Sequence, residues 1–271
     1  MRLLPFEYAI RNLGRSRLKL GLSIGGHTLV VLLVLAAASF VTGMQRSLRE
    51  TGSAANVILL GAGSEESLER SQIDPRVATI AAASVPGIRS RLGVSYVSPE
   101  IHMALAIRTR ADQDKGKIGV VRGIEPEAFL VHPQVRLLEG RAPEPGADEV
   151  MVGGLVAAKL SLPDDGLPLG ATIWIDDRAL QVVGRFTAPG TVMDAEIWCP
   201  LTDLQIIAQR DSLSCVILTL ERPDPTEVES FAARRIDLEL AALTEREYYA
   251  SLSEFYGPVR MMVLVTAALI A

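Results

Sequence analysis

Between Leu20 and Gly43 the chain runs without a charged side chain, LGLSIGGHTLVVLLVLAAASFVTG. As a helix rising about 1.5 Å per residue, the stretch is long enough to cross a hydrocarbon layer of about 30 Å, and it is expected to be a transmembrane helix. A cleaved signal peptide is the rival, because Ala36, Ala37, Ala38 and Ser39 offer a small-residue cleavage site. The apolar region of a signal peptide normally spans only about 7–15 residues, so length favours an uncleaved anchor. Arg2, Arg11, Arg15, Arg17 and Lys19 precede the span against Glu7 alone, which keeps that end in the cytoplasm.

The charges beyond the span are distributed unevenly. The formal net charge is −5; five basic residues against Glu7 before residue 20, and Arg260 after Gly257, leave the stretch between with a net charge of −10. An acidic body on the far side of the membrane repels phosphate backbones, so nucleic acid is not an expected partner. Cys199 and Cys215 both fall in that body, where oxidation is permitted. Each sits in an apolar, strand-like run, which favours two buried thiols over a disulfide.

Ahead of the span, Leu3, Phe6, Ile10 and Leu13 share one helical stripe with the arginines elsewhere, the pattern of an amphipathic helix lying in the cytoplasmic interface. A basic flank that merely fixes topology uses the same arginines. Within the span, Gly21 and Gly25 form a GxxxG spacing and Ser39 with Gly43 repeats it, which would let another helix approach closely. His27 is the span's one ionisable group, expected to bond a neighbouring helix or reach the headgroups.

From Met44 to Glu50 the sequence stays helix-compatible while turning polar, so the helix should continue out of the membrane. Val57 to Leu60 reads as a strand ended by Gly61-Ala62-Gly63, and Ser64 to Ser71 as an exposed polar stretch. Asp74-Pro75 opens a helix with Val77, Ile80 and Ala81 on its apolar face. In Glu100 to Arg108, Ile101, Met103, Leu105 and Ile107 alternate with His102, Ala104, Ala106 and Arg108, a half-buried strand with His102 on the solvated face. Ile118 to Gly123 is a further strand.

Residues 136–200 have a different texture, short strands and tight turns, and are expected to form a β-rich subdomain inserted into a mixed α/β body. Its pieces are a strand at Glu149 to Val152, a brief helix at Gly154 to Lys159, and a hairpin of Ala171 to Ile175 with Leu180 to Val183 around Asp176-Asp177. A strand at Ile197 to Cys199 follows, halted by Pro200. Ser214 to Leu220 resumes as a strand. Thr226 with Glu229 and Thr244 with Glu247 match capping boxes, the second opening a helix through Tyr248, Leu252 and Phe255, while Ile236, Leu238 and Leu240 alternate as a strand would. Val259 to Ala271 is apolar apart from Arg260 and is expected to begin a second transmembrane helix.

The expected fold class is therefore a membrane protein of α+β type. It divides into a cytoplasmic segment 1–19, a first transmembrane helix 20–43, an extracytoplasmic body 44–256 and the start of a second helix 257–271. No CxxC, HExxH or phosphate loop occurs, and the GLSIG run at Gly21 to Gly25 lies inside the apolar span rather than at a strand-to-helix elbow, so it is not read as a nucleophile elbow. Asp164-Asp165 and Asp176-Asp177 read as turn residues rather than acid/base pairs. No catalytic, cofactor-binding or metal-ligating residue is singled out, and no enzymatic activity is expected.

Taken in order, AIRNLGRSRLKLGLSIGG at the membrane entry, PGI at Pro86 to Ile88, VVRGIEPE from Val120, LLEGR from Leu137, DEVMVGGLVAAKL from Asp148, LGATIWI from Leu169, QVVGRF from Gln181 and IWCPL from Ile197 resemble the MacB/FtsX-like permeases of ABC transporters. In that family a MacB-type periplasmic core domain lies between the first two transmembrane helices. The resemblance implies an inner-membrane, multi-pass permease that forms a homodimer or heterodimer and pairs with a separate ABC-type ATPase. It also implies an extracytoplasmic adaptor or lipoprotein as a partner, and a cargo of lipoprotein, lipid, peptide or hydrophobic compound. A membrane-anchored binding or signalling module without transport is the alternative.

Overall fold

The structure, a computed structural model, describes residues 17–163, 165–254 and 257–270. The expected interfacial stripe at Leu3 to Leu13, Asp164 and Phe255 lie outside them. Two compact units are distinguished, residues 47–252 and the flanking segments up to 46 and from 253.

Helix α1 (Arg17–Thr51) carries the apolar span and continues through Met44 to Glu50, as the polar but helix-compatible sequence there requires. No proline interrupts it, and its apolar side chains are mostly exposed; Leu22, Leu29 and Phe40 are each more than half accessible. Among the described residues it is the one helix long and apolar enough to cross a membrane. His27 finds its partner within its own helix, its Nδ1 donating to the Ser23 carbonyl at 2.7 Å. The second apolar segment is also helical, as α8 below, and in the flanking unit Gln45 donates to the Ser253 carbonyl at 3.5 Å.

The body follows in chain order. Strand β1 (Asn56–Gly61) leads to α2 (Arg76–Ser84), a small hairpin of β2 (Ser90–Arg91) and β3 (Val94–Ser95), and the long β4 (Val97–Arg108). After β5 (Lys117–Ile124) and the one-turn α3 (Ala128–Val131) come β6 (Arg136–Gly140), β7 (Glu149–Gly153) and the short α4 (Val156–Lys159). Next are β8 (Thr172–Ile175), β9 (Arg178–Thr187), β10 (Glu196–Pro200), α5 (Leu201–Ile207) and β11 (Cys215–Thr219). The described chain closes with α6 (Thr226–Arg234), β12 (Leu240–Thr244), α7 (Glu245–Glu254) and α8 (Gly257–Ile270).

Ten strands form one sheet in the order β12-β1-β11-β4-β5-β10-β7-β9-β6, and β8 pairs with both β9 and β4. That double pairing closes β4-β5-β10-β7-β9-β8 into a ring. Closure rests on two registered pairs, Ile107 with Ile175 and Arg108 with Trp174. Most ladders are antiparallel, but β10 runs parallel to β5 and β7 parallel to β9. The segment 136–200 supplies β6 to β10, and its ladder runs unbroken into β5, so the ring is completed only with strands from outside the segment. The ring's lumen is a packed core, with Ile101, Val121, Val152, Ile173, Leu180 and Ile197 fully or almost fully buried. The turn Asp176-Asp177 forms as expected, Ile175 pairing with Arg178 and Asp176 taking positive φ.

Several local expectations are corrected. Ser71 and Leu68 are buried rather than exposed, because the Ser71 hydroxyl accepts the Gly61 N–H at 2.8 Å and Tyr248 receives the Leu68 N–H at 3.2 Å. Ile236–Leu238 is a 3-10 turn rather than a strand; Glu239 adopts the left-handed conformation and extended pairing begins only at Leu240. Thr226 does not form a capping box, since Asp224 takes that role and accepts both the Thr226 N–H at 3.1 Å and its hydroxyl at 2.6 Å. The Thr244–Glu247 box does form, with reciprocal bonds of 3.0 and 3.1 Å. Asp74 opens α2 through its carboxylate on the Arg76 N–H at 2.8 Å.

Candidate functional site

The body's first and last elements meet where α1 ends. Thr51 Oγ1 donates to the Ser47 carbonyl at 2.7 Å and accepts the Val192 N–H at 2.9 Å, so the last turn of α1 is tied to the loop before β10. A Cβ on Gly52 would lie 2.8 Å from the Arg246 Cα and 2.9 Å from the Glu245 carbonyl oxygen. Only glycine permits that approach of the chain leaving α1 to the start of α7. The Glu245 carboxylate completes the joint, its Oε2 accepting the Ser53 N–H and the Asn56 side-chain N–H, both at 2.9 Å. Asn56 is itself fixed by Thr219 at 2.8 Å and donates to the Val131 carbonyl at 3.1 Å.

Below this joint lies a cluster of charges sealed from solvent. Cross-strand register sets it up: His102 on β4 pairs with Arg122 on β5, and Arg122 pairs with Trp198 on β10, so alternate residues of three strands share the sheet face opposite the ring's lumen. Arg122 grips Glu196 with two bonds, Nε to Oε2 at 2.7 Å and Nη2 to Oε1 at 2.8 Å, and reaches Glu100 through Nη1 at 2.6 Å. Glu100 also accepts from Ser98 at 2.9 Å, His102 at 3.0 Å and His132 at 2.8 Å. The Trp198 indole donates to Glu196 at 2.8 Å, and its ring lies 5.4 Å from the Arg122 guanidinium carbon. Phe186, Phe129 and His132 pack on the same indole.

Burial alone would raise the Glu100 carboxyl, but His132, Arg122 and the bonds from both histidines outweigh it and hold it well below its ordinary value. Glu196 is likewise pushed up by burial and drawn down further by Arg122. Burial, then Arg122, lowers His102, which therefore donates to Glu100 as a neutral ring. Arg122, despite the burial that opposes its charge, is pushed up by Glu196 and Glu100 and stays charged. Glu245 goes the other way: burial raises its carboxyl, offset only in part by His132, the Ser53 N–H and Asn56. Breaking such a buried ion cluster by removing one partner typically costs about 3–5 kcal/mol, because the charge left behind has no solvent.

The sequence places His102 on a solvated face, and this is corrected. Its face of the strand is covered by the loop carrying His132, and its side chain is almost completely buried. None of Glu100, Arg122, His132, Glu196 or Glu245 stands out by spacing. The signal available was a charge enclosed by apolar strand residues, Arg122 within VVRGI and Glu196 before IWC. Glu100, His102 and Cys215 bring potential ligand atoms within 4.8 Å of one another. Both Glu100 oxygens are already engaged, a guanidinium stands 2.6 Å away, and burial keeps the Cys215 thiol protonated, so the trio suits an ion pair and not a metal. Cys199 and Cys215 are both buried and free.

The family of MacB-like periplasmic core domains matches residues 20–235, most of the chain. The chain belongs to that family. Its fold recurs in the periplasmic region of MacB from Actinobacillus actinomycetemcomitans, which is 11% identical with a TM-score of 0.55 and covers 75% of this chain and 94% of its own. It recurs also in the extracellular domain of the noncanonic ABC-type transporter YknZ from Gram-positive bacteria, at 16% identity and a TM-score of 0.51, covering 69% of this chain and 97% of its own. No curated protein matches in sequence. This is the family that the collinear motifs resemble. Arg122 falls within VVRGIEPE and Trp198 within IWCPL, two of the stretches that carry the resemblance, so those stretches run through the buried cluster.

Proposed function

We propose that this MacB-like chain is the permease subunit of an ABC transporter, acting mechanically rather than as an enzyme. In this reading α1 crosses the inner membrane with its basic end in the cytoplasm, the body lies outside, and α8 begins the return span. A separate ATPase closes and opens beneath a dimer of such subunits, and the movement reaches the body through the ends of α1 and α7. The cargo is of the class implied for the family: a lipoprotein, a lipid, a peptide or a hydrophobic compound.

The observation that carries the reading is the joint at Gly52. The chain leaving α1 and the chain entering α7 are in backbone contact, and Glu245 bonds to both Ser53 and Asn56. A displacement of either helix end is therefore delivered to the same point of the sheet.

Inserting a flexible Gly/Ser segment after Glu50 should leave ATP turnover by the partner intact while abolishing cargo movement; unchanged transport would count against the mechanism. Purification of the full-length protein in detergent should bring an ATPase with it. A preparation with no associated ATPase activity favours an anchored binding or signalling module.

A further inference from the structure

The Glu100 contact fixes how the His132 ring is protonated on one side. Glu100 is ionised and already receives Ser98, His102 and Arg122, so His132 Nε2 donates to it at 2.8 Å. His132 Nδ1 then faces Glu245 Oε1 at 3.8 Å, and both atoms are buried without a hydrogen-bond partner. Two bare acceptors do not face each other in a protein interior unless something lies between them to satisfy both. One proton suffices: a neutral His132 accepts it from a protonated Glu245, or an imidazolium donates it to the carboxylate. A closure of about 1 Å makes the bond.

We propose that His132 and Glu245 share one proton in a buried site that latches the start of α7 to β4, and that loss of this proton opens the latch. The raised Glu245 carboxyl agrees with a proton being retained there, burial being its main cause. The other titratable groups around the pair are Glu100 and His102 on β4, Arg122 on β5, Glu196 on β10, Cys215 on β11, and Tyr248 and Tyr249 on α7 itself. Glu100 and Glu196 are held down as carboxylates, Arg122 is held charged and His102 neutral. Burial raises Cys215, Tyr248 and Tyr249, which keeps them protonated. The proton between His132 and Glu245 is thus the one in the cluster held by two atoms with no other hydrogen-bond partner. Once it has left, Glu245 and His132 repel as lone pairs, and the tie from α7 to Glu100 is lost while those to Ser53 and Asn56 remain. The inference concerns the body alone and stands whether or not the chain works with an ATPase.

Glu245→Gln tests it, since the amide offers Nδ1 a non-titrating N–H and keeps an oxygen for Ser53 and Asn56. Unfolding of the full chain in detergent is followed from pH 5 to 8.5 for both proteins. A proton held more tightly in the folded state contributes stability that is present at low pH and lost as pH rises through the pair's folded value. The ratio of the parent's folding constant to the variant's should therefore fall about tenfold per pH unit until the site empties, then level off. A ratio constant over the whole range would overturn the proposal. Should the variant not fold, nitrogen-15 histidine spectra of the chain with Glu245 in place decide instead, His27 being identified by His27→Gln and His132 by its proximity to the Trp198 ring, 6.0 Å away. A protonated or hydrogen-bonded Nδ1 on His132 near pH 6 supports the shared proton, and a free lone pair there refutes it.

Discussion

Helix α1 and the cluster around Arg122 invert the usual distribution of side chains. On the helix Leu22, Leu29 and Phe40 are open, whereas in the body Glu100, Arg122 and His132 are sealed. Polarity alone decides neither placement. The charges of Glu100, Arg122 and Glu196 tolerate burial because each has opposite charges or donors within hydrogen-bonding distance, and the apolar helix surface is open because the described chain offers it little to pack against. The first situation is closed to solvent; the second asks for an apolar environment from outside, which is what the proposed membrane span supplies.

The largest effect should come from breaking the closed side. Arg122→Met removes the cation from Glu100 and Glu196 together and should cost about 3–5 kcal/mol, read as a lowered unfolding midpoint of the full chain in detergent. Acid sharpens the point. Because the folded values of Glu100 and Glu196 are depressed below an ordinary 4.5, their contribution is present above that pH and lost as pH falls through the folded values. Arg122→Met should flatten this acid limb, while Glu245→Gln should leave it in place. An acid limb of unchanged steepness in Arg122→Met would show that the destabilisation is lost packing rather than lost charge.

Next comes the open side. Leu33 lies mid-way along the apolar stretch and is well exposed. An arginine there should cost about 2.5–3.5 kcal/mol of membrane insertion, lowering the fraction of chain that resists alkaline extraction from membranes. The unfolding midpoint of the body should not move. A fall in that midpoint instead would mean that Leu33 packs on protein, and the contrast between the regions would narrow.

The joint between them is the third place to press. Gly52→Ala sets a methyl group 2.8 Å from backbone, where no side chain can yield, and should cost about 1–3 kcal/mol with faster proteolysis near Arg246. Wild-type stability and protease resistance in that variant would remove the reason for treating Gly52 as the contact between the two helix ends.

These regions also differ in how far they can be read from sequence. The apolar span, its continuation to Thr51, the Asp176-Asp177 turn and the Thr244–Glu247 box are all set by neighbours a few residues apart, and each is legible. The ring depends on β10 lying parallel to β5 and on β8 reaching β4, pairings between distant segments that leave no local trace. For the same reason the cluster escaped. His102 alternates with Ile101 as a surface residue would, and only the register with Arg122 and the cover from His132 turn that face into an interior. At Ile236 to Leu240 the alternation was real but Glu239, in the left-handed conformation, breaks it.

The smallest effect separates the two capping boxes suggested by sequence. At Thr244 the hydroxyl accepts the Glu247 N–H at 3.1 Å while the Glu247 carboxylate accepts the Thr244 N–H at 3.0 Å, so Thr244→Ala strands one donor of α7's first turn. The site is exposed and water replaces part of the bond, giving a cost of about 1 kcal/mol. At Thr226 the hydroxyl donates to Asp224 and caps nothing, so Thr226→Ala should change stability by less than about 0.5 kcal/mol, with the larger loss falling on Asp224→Ala. Amide exchange at Glu247 and Thr226 resolves the two cases. Equal losses from Thr226→Ala and Thr244→Ala would mean that the sequence pattern, and not the bond each hydroxyl makes, governs these helix starts.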